Sequence, residues 1–436
     1  MVARSRRRNG QSGQALVVML GVVLVALAML ALIIDGGNVL SQQRQTQTGA
    51  DSTSEAGAIV LAQRLAGAAP PAAGWDATVA AKLAQSATAN SITVKAAYYT
   101  DICGIPLKAD GTKAVDAQNR ENLASALQVG NATNSLPGGT ASTPDCPSLT
   151  VGPVAGVLVL GERNVSAYVA RAINISTFKV DTRATAVSGY LQGICDASQG
   201  NACALLPVTI PVNSITCNGN QTPTDSGQTW DLNVVIKIPL CSTADGNVGW
   251  LDWTPKSGGS SELVCSIITP DNPAIDLPSW QFVTSTGNVN GGGGSCHLSV
   301  ENAIRTHDGQ IVLIPQFDQI CDPPGNQPDP NSSPPAINTP QRYGCPVNTG
   351  SGGGTNVWYR MPSFAYLLLC DPSLPECNGL SGAYISGNNR AICDTGSGAT
   401  SCIVGRFVNT LSSGTVGAGY GSGTGNTKAV GIQLIK

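Results

Sequence analysis

Two short segments of the chain have the residue types of a carboxylate pair that could activate water. They are Asp225-Ser226-Gly227 and Asp394-Thr395-Gly396, and aspartic proteases use two such loops, whose carboxylates share one proton. Asp, Ser, Thr and Gly are also the residues that turns favour. A catalytic aspartate needs an apolar strand that leads it into a cleft, but residues 221–224 before Asp225 are polar. The turn interpretation is therefore favoured, and no catalytic residue is expected.

Other catalytic and metal-binding signatures are missing from the sequence. It contains no His-Glu-x-x-His, no Gly-x-x-x-x-Gly-Lys and no Gly-x-Ser-x-Gly. Asp51-Ser52-Thr53-Ser54-Glu55 has only a faint resemblance to an Asp-x-Ser-x-Ser metal site, and it falls in a predicted helix and does not follow an apolar strand. We therefore expect no metal, no cofactor and no small-molecule substrate, and the chain is not predicted to be an enzyme.

The 14 cysteines are the residues most able to do chemistry, and that chemistry is cross-linking. The paired Cys-x-x-Cys spacing that zinc sites favour does not occur, and the chain has only 2 histidines. Cysteines spread through Gly- and Pro-rich loops are typical of disulfides in an oxidising compartment. Three pairs are close enough in sequence to close small loops, although the sequence leaves the connectivity open: Cys195/Cys203, Cys370/Cys377 and Cys393/Cys402.

An uncharged apolar run at residues 15–34 predicts a membrane-spanning helix, which would position the rest of the chain. As a helix with a rise of about 1.5 Å per residue it would be about 30 Å long, which is the thickness of the hydrocarbon layer of a membrane. Four arginines lie within residues 4–8 and Asp35 follows the run. The positive-inside rule therefore places the first residues in the cytoplasm and the bulk of the chain outside. A cleaved signal peptide is the alternative, but its apolar core is shorter and ends in a small-x-small site.

Residues 38–66 continue the helical pattern beyond the apolar run. They contain no proline and are rich in Gln, Ala, Leu and Arg, which are good helix formers. The first half is polar, and the second half places Ala58, Leu61, Ala62 and Leu65 on one face. Pro70-Pro71 predicts the end of this helical stalk.

The amino-terminal residues resemble those of the TadE/TadG-like family of Tad (Flp) pilus-assembly proteins. The resemblance covers about fifty residues and consists of a basic start, an apolar helix, an acidic-glycine exit and a Gln-containing stretch. The matching residues are Gly13-Gln14-Ala15-Leu16-Val17, Asp35-Gly36-Gly37-Asn38-Val39, Arg44, Gln47 and Ala50-Asp51. Farther on, residues 168–187 resemble a strand pair of such proteins that ends in an alanine-rich strand.

The resemblance implies that this segment is an assembly device as well as an anchor. Gly13, Asp35, Gly36 and Gly37 are the expected anchor and assembly residues, with Asp35-Gly36-Gly37 forming a flexible break at the outer membrane face. Peptidase-processed pilins carry Glu five residues after the cut, where a cut after Gly13 would place Val18, so the sequence leaves cleavage open.

The exported part is predicted to be an α+β region followed by a β-rich, disulfide-stapled region. Strand patterns dominate after residue 90, helices are expected at Trp75–Asn90 and Ala117–Leu127, and residues 218–229 and 411–427 have turn and loop compositions. The expected segments are 1–13 cytoplasmic and basic, 14–35 transmembrane helix, 36–67 helical stalk, 68–190 α+β exported region, and 191–436 β-rich disulfide-containing exported region.

These features favour a non-enzymatic, membrane-anchored component of a Tad-type pilus, either a minor pilin or an assembly factor in adhesion. The expected partners are other pilus-assembly or pilin subunits, bound through the amino-terminal helix, and the lipid bilayer. A net charge of −3 and a charged fraction of 12% give no reason to expect a nucleic-acid partner. The alternative is a membrane-anchored extracellular adhesin or binding protein that is unrelated to pili.

We predict that mass spectrometry without reduction finds most of the 14 cysteines paired. Reduction should then lower the thermal stability, because a native disulfide typically contributes about 2–5 kcal/mol. A spectrum dominated by free thiols would contradict the assignment to an oxidising compartment.

Overall fold

A computed structural model describes most of the first half of the chain and the main strands of the second half. The described residues are 12–132, 136–137, 149, 152–194, 205–218, 222–232, 235–238, 249–251, 260–270, 272–284, 296–321, 347–348, 357–371, 375–377, 403–417 and 427–435.

Four helices and nineteen strands are found in these residues. The helices are α1 Ser12–Leu65, α2 Trp75–Ala89, α3 Ser260–Ile268 and α4 Val300–Arg305. The strands are β1 Thr93–Thr100, β2 Gly156–Ser166, β3 Thr177–Ile194, β4 Val208–Pro211, β5 Asn213–Asn218, β6 Thr222–Thr229, β7 Val235–Ile238, β8 Gly249–Leu251, β9 Ile275–Asp276, β10 Ser279–Thr284, β11 Ile311–Phe317, β12 Gln319–Cys321, β13 Val347–Asn348, β14 Val357–Met361, β15 Ser363–Leu369, β16 Ile403–Phe407, β17 Leu411–Ser413, β18 Thr415–Gly417 and β19 Val430–Ile435.

Helix α1 is one continuous helix of 54 residues, which corresponds to a length of about 80 Å. It ends in a Schellman motif: the N–H of Ala68 donates to the carbonyl of Gln63 at 3.0 Å, and the N–H of Gly67 donates to the carbonyl of Arg64 at 3.1 Å. Gly67 has a φ of 80°, a left-handed conformation that glycine adopts without steric cost. Pro70-Pro71 follows, as the sequence predicts for a helix end.

The first sheet has the strand order β1-β2-β3-β19-β17, and β9 and β18 also pair with β3. Neighbours are antiparallel except β17 and β19, which are parallel. The 18-residue strand β3 is the centre of this sheet, because β2, β9, β18 and β19 all pair with it. Helices α1 and α2 cover the sheet, and Val60, Leu61, Val79 and Leu83 meet strand residues such as Tyr99 in one core.

Small residues allow α1 to lie close to α2 and to the sheet. Ala50 and Ala58 are fully buried. A Cβ at Gly49 would lie 2.7 Å from Cγ2 of Ile92, and a Cβ at Gly57 would lie 3.0 Å from side-chain carbons of both Leu83 and Val157. These approaches are too close for a larger residue without movement of the neighbours.

The second sheet has ten strands in the order β13-β12-β14-β10-β8-β4-β11-β15-β16-β7. The residues of α3 and α4 pack on it, with Val264, Ile267 and Ile304 among the fully buried members of its larger core. A disulfide joins Cys265 in α3 to Cys296, which precedes α4. Strands β5 and β6 form a separate two-stranded ribbon.

The end of the chain connects the two sheets through a buried polar group. Gln316 Nε2 donates to Thr427 Oγ1 at 3.3 Å, and Ser363 Oγ donates to Gln316 Oε1 at 3.1 Å. Burial lowers the pKa of Lys428, whose Nζ lies 5.3 Å above the centre of the Tyr190 ring in β3. Strand β19 leaves this group and pairs with β3, so the last residues complete the first sheet.

The fold prediction of an α+β chain, with a long amino-terminal helix followed by β-rich, disulfide-containing structure, is confirmed at that level. The transmembrane character of the predicted helix at 14–35 is not shown. In the part of the chain that the structure describes, no helix is long and apolar enough to cross a membrane.

Three local predictions are wrong. No α-helix forms at Ala117–Leu127, where the structure has only a short 3-10 helix at Leu123–Ser125. The Asp116 carboxylate accepts the N–H groups of Gln118 and Arg120, both at 2.9 Å, and Asn119 adopts a φ of 57°, so the chain turns instead. Residues 222–229, predicted as a turn, form β6 because β5 supplies a hydrogen-bonding partner.

The third error concerns the predicted loop at 411–427. Its first residues form β17 and β18, which pair with β19 and β3. The two exported regions predicted at 68–190 and 191–436 also share the first sheet, because β9, β17, β18 and β19 come from the second region.

We predict opposite stability changes for two glycine-to-alanine substitutions in α1. Gly49→Ala should destabilise the protein by about 1–3 kcal/mol, because its Cβ would crowd Ile92. Gly36→Ala is the matched control: nothing lies within 4 Å of its Cβ, so alanine should be neutral or stabilising by up to about 1 kcal/mol. Denaturant unfolding of the full chain in detergent, followed by circular dichroism, measures both. Equal changes in the free energy of unfolding for the two variants would contradict the close packing of α1.

Candidate assembly interface at the amino-terminal helix

The first part of α1 projects apolar side chains that no other described residue covers. Leu16 is 69% exposed and Met19 is 70% exposed, and the residues between them are exposed as well. Successive helical residues are about 100° apart, so residues 16–20 cover all sides of the helix. The exposed surface continues to Ile33 and Ile34. A helix that is apolar all round is stable only in an apolar environment, either a membrane or a protein assembly.

Asp35 ends this exposed part and is itself only 5% exposed. Its carboxylate accepts three backbone N–H groups from the loop between β2 and β3. The N–H of Tyr168 donates to Oδ1 at 2.8 Å, the N–H of Ala170 donates to Oδ2 at 2.7 Å, and the N–H of Val169 lies 3.1 Å from Oδ2. These residues begin a 3-10 turn at Ala170–Ile173, whose free N–H groups attract an anion. Asp35 therefore caps a turn that is more than 130 residues away in sequence.

The hairpin of β2 and β3 is held along α1 beyond this cap. Asn38 Nδ2 donates to the carbonyl of Ser166 at 3.3 Å, and Gln47 Nε2 donates to the carbonyl of Arg183 at 3.1 Å. The contacts follow the hairpin from its tip toward the middle of the sheet. The segment predicted as a helical stalk packs on the hairpin and the sheet in the structure.

The predicted anchor and assembly residues are all inside α1. Gly13 is in its first turn, and Gly36 and Gly37 follow Asp35 without interrupting the helix. The predicted flexible break is wrong, because the hydrogen bonds of Asp35 and Asn38 to the hairpin fix the helix on both sides of the glycines. Nothing lies within 4 Å of a Cβ at Gly36 or Gly37, so a smooth strip of backbone is open there.

The segment Asp51-Ser52-Thr53-Ser54-Glu55 lies in the middle of α1, in agreement with the helix interpretation. Thr53 Oγ1 donates to the carbonyl of Gly49 at 2.7 Å, and Ser54 Oγ donates to the carbonyl of Asp51 at 2.8 Å. Both hydroxyls are engaged by the helix backbone. Burial, together with the nearby Asp51 charge, raises the pKa of Glu55. Within the described residues, no group of three or more His, Cys, Asp or Glu could hold a metal ion.

A cleft of about 600 Å³ lies beside α1, between the loop after β1 and the strands β3 and β19. Its charged groups already have partners in the protein. Arg183 forms an ion pair with Glu121 at 2.6 Å, and Asp51 accepts a hydrogen bond from Gln47 at 2.9 Å. The cleft therefore offers fewer free groups for a ligand than the exposed apolar surface of the helix offers for a partner.

Of the candidate disulfides, the structure brings Cys370 and Cys377 together as a disulfide with a Cα–Cα distance of 5.6 Å. Cys195, Cys203, Cys393 and Cys402 lie outside the described residues. The disulfide between Cys265 and Cys296 closes a loop of 31 residues, and no short spacing indicated it.

The two aspartates of the rejected protease hypothesis are not both described. Asp225 lies in the ribbon strand β6, opposite Ile215, and Asp394 lies outside the described residues.

The contact between Asp35 and residues 168–170 could not be anticipated from the sequence. Asp35 follows an apolar run and suggests only a helix exit. Residues 168–187 resemble a strand pair, but their first part forms the 3-10 turn and only Thr177 onward is strand. When the carboxylate that caps a turn comes from a distant helix, the residues around the turn carry no sequence signal of it.

The described structure thus combines an exposed apolar helix segment, from Leu16 to Ile34, with a folded body made of the rest of α1 and the two sheets. Residues 13–69 match the family model described as putative Flp pilus-assembly TadE/G-like. The match covers α1 from its second residue and includes the turn that ends it. No curated protein and no solved structure matches the chain. The chain therefore carries a TadE/G-like segment, which agrees with the resemblance seen in its residues.

We predict that Asp35→Ala releases the tip of the β2–β3 hairpin. Backbone amides of Tyr168, Val169 and Ala170 should exchange hydrogen faster, because their common acceptor is lost. Hydrogen–deuterium exchange of the detergent-solubilised chain measures this. Asp181→Ala in β3 removes an exposed carboxylate and is the control that should leave these amides unchanged. If these three amides exchange as slowly in the Asp35→Ala variant as in the unsubstituted protein, the capping role is contradicted.

Proposed function

We propose that the protein is a non-enzymatic, membrane-anchored component of a Tad-type pilus, acting as a minor pilin or an assembly factor. The observation that carries this proposal is the coincidence of the family match at 13–69 with α1, whose first part is apolar and uncovered. The matching family is described by pilus assembly and not by a reaction. The body would then serve as the part that the helix presents outside the cell.

The bilayer is the environment that best suits residues 15–34 before assembly. This run has no charged residue and would extend for about 30 Å as a helix. The arginines at positions 4–8 favour a cytoplasmic amino terminus. The disulfide between Cys265 and Cys296 supports an oxidising compartment for the body. These features support a single-pass topology with the bulk of the chain outside the cytoplasm.

Other pilus-assembly or pilin subunits are the proposed partners of α1. Helix contacts in lipid depend on small residues that let two backbones approach each other. Gly36 and Gly37 are open, and nothing lies within 4 Å of a Cβ at Gly21. Together with Gly13 they are the positions where we propose that a neighbouring helix approaches. Asp35 contributes indirectly, because it holds the hairpin beside this part of the helix.

An anchor exchange tests the proposal. Residues 15–34 are replaced by an unrelated single-pass apolar helix of equal length, and Asp35 is kept because its carboxylate caps the hairpin turn. Export and folding should be preserved, because they need only an apolar segment and an intact Asp35. Pilus formation and co-purification with pilus subunits should be strongly reduced, because the exchange removes Gly21 and the side chains around it from the proposed helix contact. Gly13, Gly36 and Gly37 stay in place, so any residual piliation is assigned to them.

The matched control is the same exchange with Gly21 restored at its position. Partial recovery of piliation would locate part of the recognition at that glycine. Normal piliation after the full exchange would show that the apolar run is only a tether. Export to the cell surface is checked in parallel by protease accessibility of the body, so that loss of pili is not confused with loss of the protein. A surface-exposed protein whose deletion leaves piliation unchanged would favour the pilus-independent adhesin.

A further inference from the structure

The tip of the β2–β3 hairpin exposes apolar side chains at the level where the apolar run ends. Tyr168 is 66% exposed and Ile175 is 41% exposed. Between them lies the exposed Arg171, and residues 166–177 contain no acidic residue. Tyr168, Arg171 and Ile175 are thus all exposed in one hairpin loop, and exposed apolar side chains that occur together are candidates for an interaction surface.

The position of this tip along α1 is fixed by hydrogen bonds. The N–H of Tyr168 lies 2.8 Å from the Asp35 carboxylate, and Asp35 directly follows the apolar run. The hydrocarbon layer is about 30 Å thick, and the headgroup layers bring the total to about 40–45 Å. If residues 15–34 cross the hydrocarbon layer, Asp35 lies at its outer boundary. The hairpin tip must then lie in the headgroup layer.

The tip is also too firmly held to turn away from that surface. The N–H of Ala167 donates to the carbonyl of Ser176 at 3.0 Å, and the N–H of Ile175 donates to the carbonyl of Ala170 at 3.1 Å. Asn174 adopts a φ of 68°, which closes the 3-10 turn. These bonds and the Asp35 cap hold the backbone of the tip, so the directions of Tyr168 and Ile175 are set by the fold.

We infer that residues 168–175 form a second membrane contact, in which Tyr168 and Ile175 enter the headgroup layer and Arg171 faces lipid phosphates. Tyrosine suits this layer because its ring is apolar and its hydroxyl is polar. The contact rests on the proposed insertion of α1 and deepens it. It would hold the body at a set angle to the bilayer before the subunit leaves the membrane for a pilus.

The test uses the full chain in nanodiscs whose lipids carry bromine in the acyl chains near the headgroup, because bromine quenches nearby tryptophan fluorescence. The six native tryptophans include none between residues 12 and 74, so the parent protein supplies the background. Tyr168→Trp and Ile175→Trp should each add a quenched component. Both side chains are exposed, so the substitutions should not disturb packing.

Two further variants separate this inference from the proposed anchor. Ala84→Trp is on the exposed side of α2, whose Leu83 lies beside Gly57, about 30 Å along α1 from Asp35, and should not be quenched. Val25→Trp lies within the apolar run and should be quenched by bromine placed deeper in the acyl chains. Quenching at Val25→Trp without quenching at Tyr168→Trp and Ile175→Trp would overturn the hairpin contact alone. No quenching at Val25→Trp would overturn the anchor and, with it, the contact.

Discussion

The close packing of α1 on the first sheet is the contact on which the rest of the structure depends. Only the later part of this long helix is buried against the rest of the protein. That part packs closely because Gly49, Ala50, Gly57 and Ala58 leave room for its neighbours. A larger residue at these positions would push the helix away from Val157 and Ile92 and open the core between them. Because α1 is continuous, its exposed apolar segment is joined directly to the part that packs on the sheet.

Asp35 is the point where the two parts of α1 meet. A carboxylate at the end of an apolar run would ordinarily be left to solvent, but here its oxygens receive the free N–H groups of a turn in the β2–β3 loop. The same residue thus ends the apolar surface and fixes the height of the hairpin along the helix. The position of the hairpin along α1 is therefore set by hydrogen bonds as well as by packing.

The carboxyl-terminal segment makes contacts with both sheets. Thr427, just before β19, accepts a hydrogen bond from Gln316 of the second sheet, and β19 then pairs with β3 of the first. Burial raises the pKa of Asp318, and the ion pair with Arg360 at 3.4 Å opposes that shift. Buried polar groups are costly unless their partners are well placed, so this junction favours one arrangement of the two sheets over others.

The sequence by itself determined the features that depend on neighbouring residues. The apolar run at 15–34 and the proline-free stretch at 38–66 each predict helix, although the sequence suggested a break between them. Trp75–Asn90 predicts α2 almost to the residue, and the spacing of Cys370 and Cys377 suggests a small disulfide loop. Tertiary structure decided whatever needed a distant partner. The polar stretch at 222–229 becomes a strand because β5 lies beside it. Strands β18 and β19 join the first sheet by pairing with β3, and β17 joins it by pairing with β19. Asp35 follows the same rule: its charge is visible in the sequence, but the three N–H groups that it caps are supplied by residues more than 130 positions away, and only the fold brings them together.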